Sequence, residues 1–339
     1  MVLNILYQFN EKYAPYAGVS IFSLLENNKA AEQINIYIIE ENLKKSSKDK
    51  ITQMIHSYNR SVNFLDGKKI IAFVKELGIP EYRGSYATNL KMFAPLYLQE
   101  DIEKLLYIDS DTLVLGDLQS LFKSSSCAQP LEMALDSLAV RHKRYIGHSK
   151  NDLYYNAGVI LIDLKSWNKH SCTQKIIDHA KHTRSHYMAP DQDMLNVALK
   201  PLIGLMDIKY NLQPIHYRYS YKLYRMFWKQ PAYYGKQEID AAVRNPVIIH
   251  FFRFLGEFPW DLNSDHPYAD LYRTYLEKSP WKDRPQTGTQ QDGFVFRLER
   301  WMYRHLPDPL FMLIFRICYD MFLSSAEAAS RKGKNHHQM

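Results

Sequence analysis

Residues 104–111 read KLLYIDSD, and this segment carries the strongest indication of the architecture of the chain. Its first five residues are mostly apolar and contain no Gly or Pro, which predicts a short buried strand. Asp109 and Asp111 follow where a strand of an α/β sheet ends and the sheet edge opens to ligands. Alternate residues of an extended segment point to the same side, so both acids can converge on one hard cation such as Mg²⁺ or Mn²⁺. A cation with so few protein ligands completes its shell with phosphate oxygens, which indicates a nucleotide or another phosphorylated ligand.

The composition is typical of a globular protein that binds anions. The chain has 339 residues, of which 46% are hydrophobic, and a net charge of +7. This charge favours nucleotides or an anionic lipid surface, and without a nucleic-acid-binding motif we expect no nucleic acid partner. Three widely spaced cysteines are typical of a reducing compartment, and the first ten residues lack the pattern of a signal peptide. We therefore expect a cytoplasmic protein.

Short apolar runs alternate with helical patterns over the first two thirds of the chain. Strands are predicted at residues 3–9, 34–39, 62–65, 105–109, 131–135, 158–164 and 247–252. Helices are predicted at residues 16–27, 46–58, 88–98, 165–183 and 191–199, and later at 266–277 and within 294–322, where Pro307 and Pro309 predict a break. This alternation predicts an α/β fold with a mostly parallel sheet flanked by helices. We expect a core of residues 1–265 and a helical C-terminal extension of residues 266–339.

Six blocks of sequence occur in an order shared with one enzyme family. They read LNILY at 3–7 followed by YAPY at 13–16, KMFAP at 91–95, LYIDSDTLV at 106–114, YNAGV at 155–159, PDQDMLN at 190–196 and IIHF at 248–251. In these blocks the chain resembles the family-8 glycosyltransferases, which are metal-dependent, retaining enzymes. They include bacterial lipopolysaccharide galactosyl- and glucosyltransferases and glycogenin. The resemblance implies a GT-A type fold, with a Rossmann-like, mostly parallel mixed sheet.

The resemblance implies a metal site formed by Asp109, Asp111 and His250. The residues themselves agree, because His250 follows the apolar run at 247–249 and is also delivered at the end of a strand. The alternative interpretation is a solvated turn for the two acids and a hydrogen-bonded core histidine.

The resemblance also implies a binding site for a UDP-sugar donor. The residues implied are Tyr7, Gln8, Asn10, Lys91, Asp109, Ser110, Asp111, Asn156, Ala157 and Arg253. Lys91 stands where the family has an arginine that reaches the diphosphate, and a solvated lysine on a helix face is the alternative. Asn10 replaces an acid of the lipopolysaccharide galactosyltransferases, and an ordinary turn residue is the alternative there. Phe258 replaces a lysine of the family segment that closes over the diphosphate, and Arg253 would supply the missing charge.

On the sugar side, the resemblance implies Asp136, Asp191 and Gln192, with Gln192 near the reacting carbon. Hexose hydroxyls need side chains that donate and accept, and Asn156 precedes two small residues that would let the donor approach the backbone closely. Gln192 is a poor nucleophile, which favours a front-face reaction in which the departing phosphate takes the proton of the acceptor. Asp136 and Asp193 stay open as nucleophiles for a double displacement.

We therefore expect a retaining glycosyltransferase that uses Mn²⁺ or Mg²⁺ and moves a hexose from UDP-glucose or UDP-galactose. The acceptor would be a glycan or a lipid-linked molecule in the synthesis of cell-surface polysaccharide or lipopolysaccharide. One alternative is a haloacid-dehalogenase-type phosphatase, which the sequence DSDT at 109–112 resembles. The other is a catalytically degenerate scaffold that binds a sugar nucleotide.

The C-terminal residues 294–325 mix large apolar side chains with arginines. This mixture suits a helix lying on the anionic inner face of the cell membrane, where lipid-linked acceptors reside. The alternative is that the same residues pack on the core or form a homodimer contact.

Overall fold

A seven-stranded sheet forms the centre of the protein. The structure is a computed structural model that describes residues 1–79, 81, 85–98, 101–124, 129–140, 142–182, 187–228, 230–252, 256–284 and 293–336, without the side chains of 124 and 326–336. The strands in the described residues are β1 (Val2–Asn10), β2 (Gln33–Glu41), β3 (Ser61–Asp66), β4 (Lys104–Ile108), β5 (Thr112–Val114), β6 (Leu131–Leu135), β7 (Tyr155–Asp163), β8 (Ile203–Leu205) and β9 (Ile248–His250).

The order of strands in the large sheet is β3-β2-β1-β4-β7-β6-β8. Only β7, among these strands, runs antiparallel to its two neighbours, and the other adjacent pairs are parallel. This result confirms the predicted mostly parallel sheet. It also brings the ends of β4 and β6 to the same edge as the start of β7, because β7 runs in the opposite direction.

Helices cover both faces of the sheet. The helices in the described part are α1 (Ala14–Asn27), α2 (Lys45–Ser57), α3 (Gly67–Glu76), α4 (Ala87–Leu90), α5 (Gln119–Ser124), α6 (His142–Tyr145), α7 (Leu164–Lys169), α8 (Cys172–His182), α9 (Pro190–Ala198), α10 (Pro214–Arg218), α11 (Tyr221–Trp228), α12 (Lys236–Arg244), α13 (Ala269–Lys278), α14 (Phe294–His305) and α15 (Asp308–His336). Short 3₁₀ segments occur at Lys91–Tyr97, Lys200–Leu202 and Ile208–Tyr210. Two buried apolar clusters lie against the two faces of the sheet, as expected for strands that are apolar on both sides.

Two predicted helices differ from the observed ones for local reasons. The prediction at 88–98 is wrong as a single α-helix, because α4 gives way to the 3₁₀ segment that contains Pro95. Proline has no N–H for the helical hydrogen bond, so a regular α-helix does not continue through it. The prediction at 165–183 breaks into α7 and α8 at Ser171, whose φ is +52°.

A second, two-stranded sheet was not predicted and determines where His250 lies. β5 and β9 pair antiparallel, with Thr112 opposite His250. The N–H of Phe251 donates to the carbonyl of Asp111 at 2.7 Å. The strand that carries His250 is therefore attached directly to the residues that follow the acid pair.

The C-terminal part packs in two different ways. Tyr272 of α13 and Trp281 lie in the two clusters that flank the large sheet. Tyr303 of α14 and Phe311 of α15 are buried in a third cluster, against Ile215 of α10 and residues of α11. The two last helices are thus attached to the part of the chain that leads from β8 to β9.

Candidate active and metal site

Three side chains converge at the carboxyl end of β4. Asp109, Asp111 and His250 each offer a ligand atom, and these atoms lie within 4.8 Å of one another. The His250 Nε2 is 3.4 Å from Asp111 Oδ1 and 3.6 Å from Asp109 Oδ2. Two carboxylate oxygens and one imidazole nitrogen can bind a single divalent cation.

The ring of His250 is fixed by a hydrogen bond that the sequence did not indicate. Its Nδ1 lies 3.0 Å from Asn211 Oδ1, and the Asn211 amide donates to Asn156 Oδ1 at 2.9 Å. With Nδ1 donating to this oxygen, Nε2 faces the two acids and is the nitrogen that a metal ion would bind. A Cβ at Gly158 would lie 2.0 Å from His250 Cε1, so the small residue makes room for the histidine ring. Gly158 was expected to let the donor approach, and the structure gives it this different role.

The charges around the three residues favour a cation. Burial raises the pKa of Asp109 above its usual value, although the Lys91 ammonium opposes this effect. Burial acts in the same direction on Asp111, but His250 outweighs it and holds the pKa of that carboxyl below its usual value. Burial lowers the pKa of His250, yet Asp111 and Asp109 outweigh it and the pKa is raised. The donor atoms and the negative field therefore fit Mn²⁺ or Mg²⁺, with Asn211 as the outer residue that orients the histidine.

Lys91 joins the metal side of the site to the sugar side. Its side chain is only 5% exposed, and its Nζ lies 2.7 Å from Asp191 Oδ2, 3.4 Å from Asp109 Oδ1 and 2.9 Å from the Ala157 carbonyl. The ring of Tyr107 is 4.3 Å from the same ammonium. The alternative of a solvated lysine on a helix face is therefore wrong. Protein acceptors already surround the ammonium, so a contact with a diphosphate would have to replace one of them.

The predicted sugar-side residues form one hydrogen-bonded group. Gln192 Oε1 accepts from the N–H of Ala157 at 3.0 Å, and its Nε2 donates to Asp136 Oδ2 at 3.2 Å and to the Tyr154 hydroxyl at 3.0 Å. Asp136 Oδ2 also accepts from Asn156 Nδ2 at 3.1 Å. The start of β7, the end of β6 and the first turn of α9 supply these residues. Gln192 and Asp136 are thus held in fixed positions near the metal ligands.

Asp193 has no access to a sugar. Its side chain is fully buried, and its Oδ1 is 2.5 Å from His142 Nε2 and accepts from the Tyr154 hydroxyl at 2.6 Å. Its Oδ2 accepts from the Ala189 N–H at 3.1 Å. Asp193 is therefore a structural acid that supports Tyr154, the hydroxyl that receives a hydrogen bond from Gln192.

The residues predicted on the nucleotide side lie at the end of β1, with different exposures. The Tyr7 side chain is 0% exposed and its hydroxyl contacts Ser20 Oγ at 3.0 Å, so it has no surface to offer to a base. Gln8 Oε1 accepts from the Lys91 N–H at 3.1 Å, and Ser110 Oγ donates to the Gln8 carbonyl at 3.2 Å. The burial of Tyr7 corrects the expectation for its side chain, and the other contacts join Gln8 of β1 to Lys91 and to Ser110, the residue between the two acids.

Asn10 and Arg253 complete the predicted set. Asn10 Oδ1 accepts from the N–H groups of Lys12 and Tyr13 at 3.1 and 3.3 Å, which is the behaviour of a turn residue. Arg253 lies outside the described residues. Phe258, the replacement for the family lysine, stacks on Trp260 with ring centroids 4.6 Å apart.

Asn211 and Tyr154 are the two site residues that the sequence interpretation missed. Asn211 follows a 3₁₀ turn and shows no periodic pattern, so no signal distinguished it from a loop residue. Tyr154 immediately precedes the YNAGV block, and its position beside that block was the available signal.

Comparisons with known proteins show the family to which the chain belongs. Glycosyl transferase family 8 matches residues 4–263. The chain is 27% identical to General stress protein A of Bacillus subtilis (strain 168) over 286 residues, which cover 83% of this chain and 95% of that protein. It is 26% identical to Lipopolysaccharide 1,2-glucosyltransferase of Escherichia coli (strain K12), over 83% of this chain and 79% of that protein.

A solved structure shows the same fold. The galactosyltransferase LgtC, crystallised with donor and acceptor sugar analogs, matches with a TM-score of 0.61 and 19% identity, over 88% of this chain and 100% of that chain. The family match includes both acids and His250, and it overturns the alternative of a haloacid-dehalogenase-type phosphatase. The chain therefore belongs to glycosyl transferase family 8 and is a glycosyltransferase with the GT-A fold.

Proposed function

We propose that this enzyme transfers a hexose, with retention, from UDP-glucose or UDP-galactose to a glycan or lipid-linked acceptor. The reaction would serve the synthesis of cell-surface polysaccharide or lipopolysaccharide. The observation that carries the proposal is the convergence of Asp109, Asp111 and His250, with Lys91 joining them to Asp191 and the Gln192 group. A metal-bound diphosphate and a hexose attached to it would then occupy adjacent parts of one site.

The proposed cofactor is Mn²⁺ or Mg²⁺ on Asp109, Asp111 and His250. When bound, the cation would neutralise the charge that develops on the departing diphosphate. The residues of the chain prepare this site beforehand, because Asn211 orients Nε2 of His250 toward the acids. Lys91 adds a fixed positive charge beside Asp109.

The sugar side supports a front-face reaction. Asp136 Oδ2 accepts two hydrogen bonds and its Oδ1 accepts one from the Leu138 N–H at 2.8 Å. A carboxylate held by three donors is a weakened nucleophile, because its lone pairs are engaged. In the proposed step, the bond from the anomeric carbon to the phosphate oxygen breaks while the acceptor oxygen bonds to that carbon on the same face. The proton of the acceptor hydroxyl moves to the departing phosphate.

Release of UDP from a panel of UDP-sugars tests this proposal. We expect Mn²⁺-dependent release from UDP-glucose or UDP-galactose, even without an acceptor, and much less from an N-acetylated donor. The control is Asp111→Asn, which removes one ligand charge at a partly exposed position and leaves the fold intact. Activity of Asp111→Asn within a few-fold of wild type would refute the metal assignment, and release from no UDP-sugar would refute the donor class.

We also propose that residues 266–339 form an extension whose last helices lie on an anionic membrane, beside the catalytic residues 1–265. The supporting observation is a row of exposed apolar side chains on α14 and α15, namely Phe294, Val295, Leu298, Trp301, Leu310, Leu313, Ile317, Met321 and Phe322. Tyr303, Phe311 and Met312 instead pack on the core. The two helices therefore have an outer face suited to a membrane and an inner face that packs on the protein, as the alternative interpretation expected. Among the helices that the structure describes, none combines the length and apolarity needed to cross a bilayer.

Cosedimentation with anionic liposomes tests the membrane proposal. We expect the full chain to bind, and a variant with Leu298→Ser and Trp301→Ser to bind much less, because both side chains are exposed. A variant with Leu205→Ser, an exposed leucine on β8, is the matched control. Equal binding by the wild type and the double variant would refute the proposal. Self-association that the same double variant abolishes would indicate a homodimer contact instead.

A further inference from the structure

An ion pair ties α14 to the chain segment that follows His250. Arg304 Nε donates to Glu257 Oε1 at 2.6 Å, and the Glu257 side chain is 1% exposed. The same guanidinium donates from Nη2 to the Asn263 carbonyl at 2.8 Å and lies 3.2 Å from Asp265 Oδ2. The other oxygen of Glu257 accepts from the Asp265 N–H at 2.7 Å. Removing Arg304 would leave the buried carboxylate without its paired charge, so Arg304 and this local hydrogen bond together hold Glu257.

A second contact brings the backbone of this segment against the same helix. Gly256 has a φ of +66°, and a Cβ there would lie 2.7 Å from Tyr303 Cγ. Its N–H donates to Glu299 Oε1 at 3.2 Å. The Tyr303 hydroxyl accepts from Arg218 Nε at 3.0 Å, which links α14 to α10 as well. Only glycine satisfies both the positive φ and the close approach of the tyrosine ring.

The segment that α14 holds borders the metal site. Phe252 packs on the His250 ring, with centroids 4.8 Å apart. Farther along, the Trp260 ring lies 6.1 Å from Phe251 and 4.5 Å from Tyr16, near the end of β1. Residues 256–260 therefore pack around Phe251 and Phe252, the two residues that follow His250, because Glu257 borders both of them and Trp260 contacts Phe251.

We propose that Tyr303 and Arg304 of α14 are positioning residues for the donor. They hold residues 256–260 in the place where these residues contact the bound donor, so donor affinity depends on a helix outside the family match at residues 4–263. The outward face of α14, which carries Leu298 and Trp301, is opposite to the face that carries Tyr303, so the two roles use different residues. This inference rests on the proposed UDP-sugar donor.

The test compares Arg304→Met with Arg297→Met, an exposed arginine two turns earlier on the same helix. Donor KM, kcat, thermal stability and hydrogen exchange of residues 256–265 are measured for both variants, in the full chain and without membranes. We expect Arg304→Met to raise the donor KM about tenfold with kcat changed by less than about threefold, and to accelerate exchange in 256–265. Arg304→Lys should restore most of the KM, and Arg297→Met should resemble wild type.

Two further variants separate a positioning role from a merely structural one. Glu257→Gln should raise the donor KM as much as Arg304→Met does. A variant that combines Glu257→Gln with Arg304→Met should have a donor KM no higher than that of either single variant, because all three lose the same contact. A lower thermal stability with unchanged donor KM in Arg304→Met would overturn the proposal, as would unchanged exchange in 256–265. If the wild type releases UDP from no UDP-sugar, the proposed function fails, and the exchange measurement still decides whether Arg304 holds the segment.

Discussion

The imidazole of His250 lies so close to Gly158 that a Cβ on this glycine would be 2.0 Å from Cε1 and 2.5 Å from Nδ1. The ring cannot move away easily, because its Nδ1 is hydrogen-bonded to Asn211 and its side chain is 3% exposed. The start of β7 therefore forms one wall of the metal site although it supplies no ligand.

Gly158→Ala should weaken Mn²⁺ binding by about tenfold or more, because the new methyl group must displace a buried ligand that its hydrogen bond to Asn211 holds in place. Calorimetric titration of the purified variant with Mn²⁺ measures this effect. Gly293→Ala is the matched control, since a Cβ there would make an ordinary contact at 3.6 Å with Phe296. Mn²⁺ affinity of Gly158→Ala within twofold of wild type would contradict the role assigned to the glycine.

Asn211→Ala should lower the affinity for Mn²⁺ roughly 10- to 100-fold, the usual effect of losing a residue that orients a metal-binding histidine. All three metal ligands remain in this variant, so a loss of affinity reports on orientation alone. The measurement is Mn²⁺ affinity together with the thermal stability of the metal-free protein. If both variant and wild type bind Mn²⁺ equally well, His250 does not need Asn211 to present Nε2.

The sequence predicted the ligands of the metal site better than the residues that support them. Asp109, Asp111 and His250 follow apolar runs, and strand ends of this kind converge at one edge of a sheet. Asn211 lies in an irregular segment between a 3₁₀ turn and α10, and its contact with His250 depends on the backbone hydrogen bonds that join Leu212 to Ile248 and His250 of β9. β9 has only three residues, and the segment beside it that carries Asn211 has no periodic pattern from which this contact could be predicted.

The alternation of apolar residues along β1 argues against the nucleotide contact that the family resemblance implied for Tyr7. Leu3, Ile5, Tyr7 and Phe9 alternate along β1, and all four are buried in the cluster that includes α1. Successive side chains of a strand point to opposite faces, so Tyr7 shares the face of three core residues while Gln8 points the other way. The periodicity of two therefore favoured Gln8 over Tyr7 as the residue facing the site.

Gln192→Ala should lower kcat roughly 100-fold while the affinity for UDP changes by less than about threefold, because Gln192 is assigned to the sugar and not to the nucleotide. The variant also removes the acceptor of the Ala157 N–H, so some loss of thermal stability should accompany it. Steady-state kinetics and UDP titration separate the two effects. A parallel loss of UDP affinity would place Gln192 on the nucleotide side instead.

The buried pair of His142 and Asp193 should make stability depend on pH. Burial lowers the pKa of His142, but Asp193 outweighs this effect and the pKa is raised above the ordinary value of 6.5. The folded protein then binds the proton more tightly than the unfolded chain, so the pair stabilises the fold fully below about pH 6.5. That contribution is lost as the pH rises through the raised pKa of the folded state.

His142→Gln can still donate to Asp193 but cannot titrate, so its free energy of unfolding should vary less between pH 6 and pH 9 than that of wild type. The deficit of the variant relative to wild type should be largest at the acidic end and should shrink toward the alkaline end. Urea unfolding at a series of pH values measures it, with His56→Gln, an exposed histidine on α2, as the control. A deficit that grows with pH would show that His142 is neutral in the folded protein.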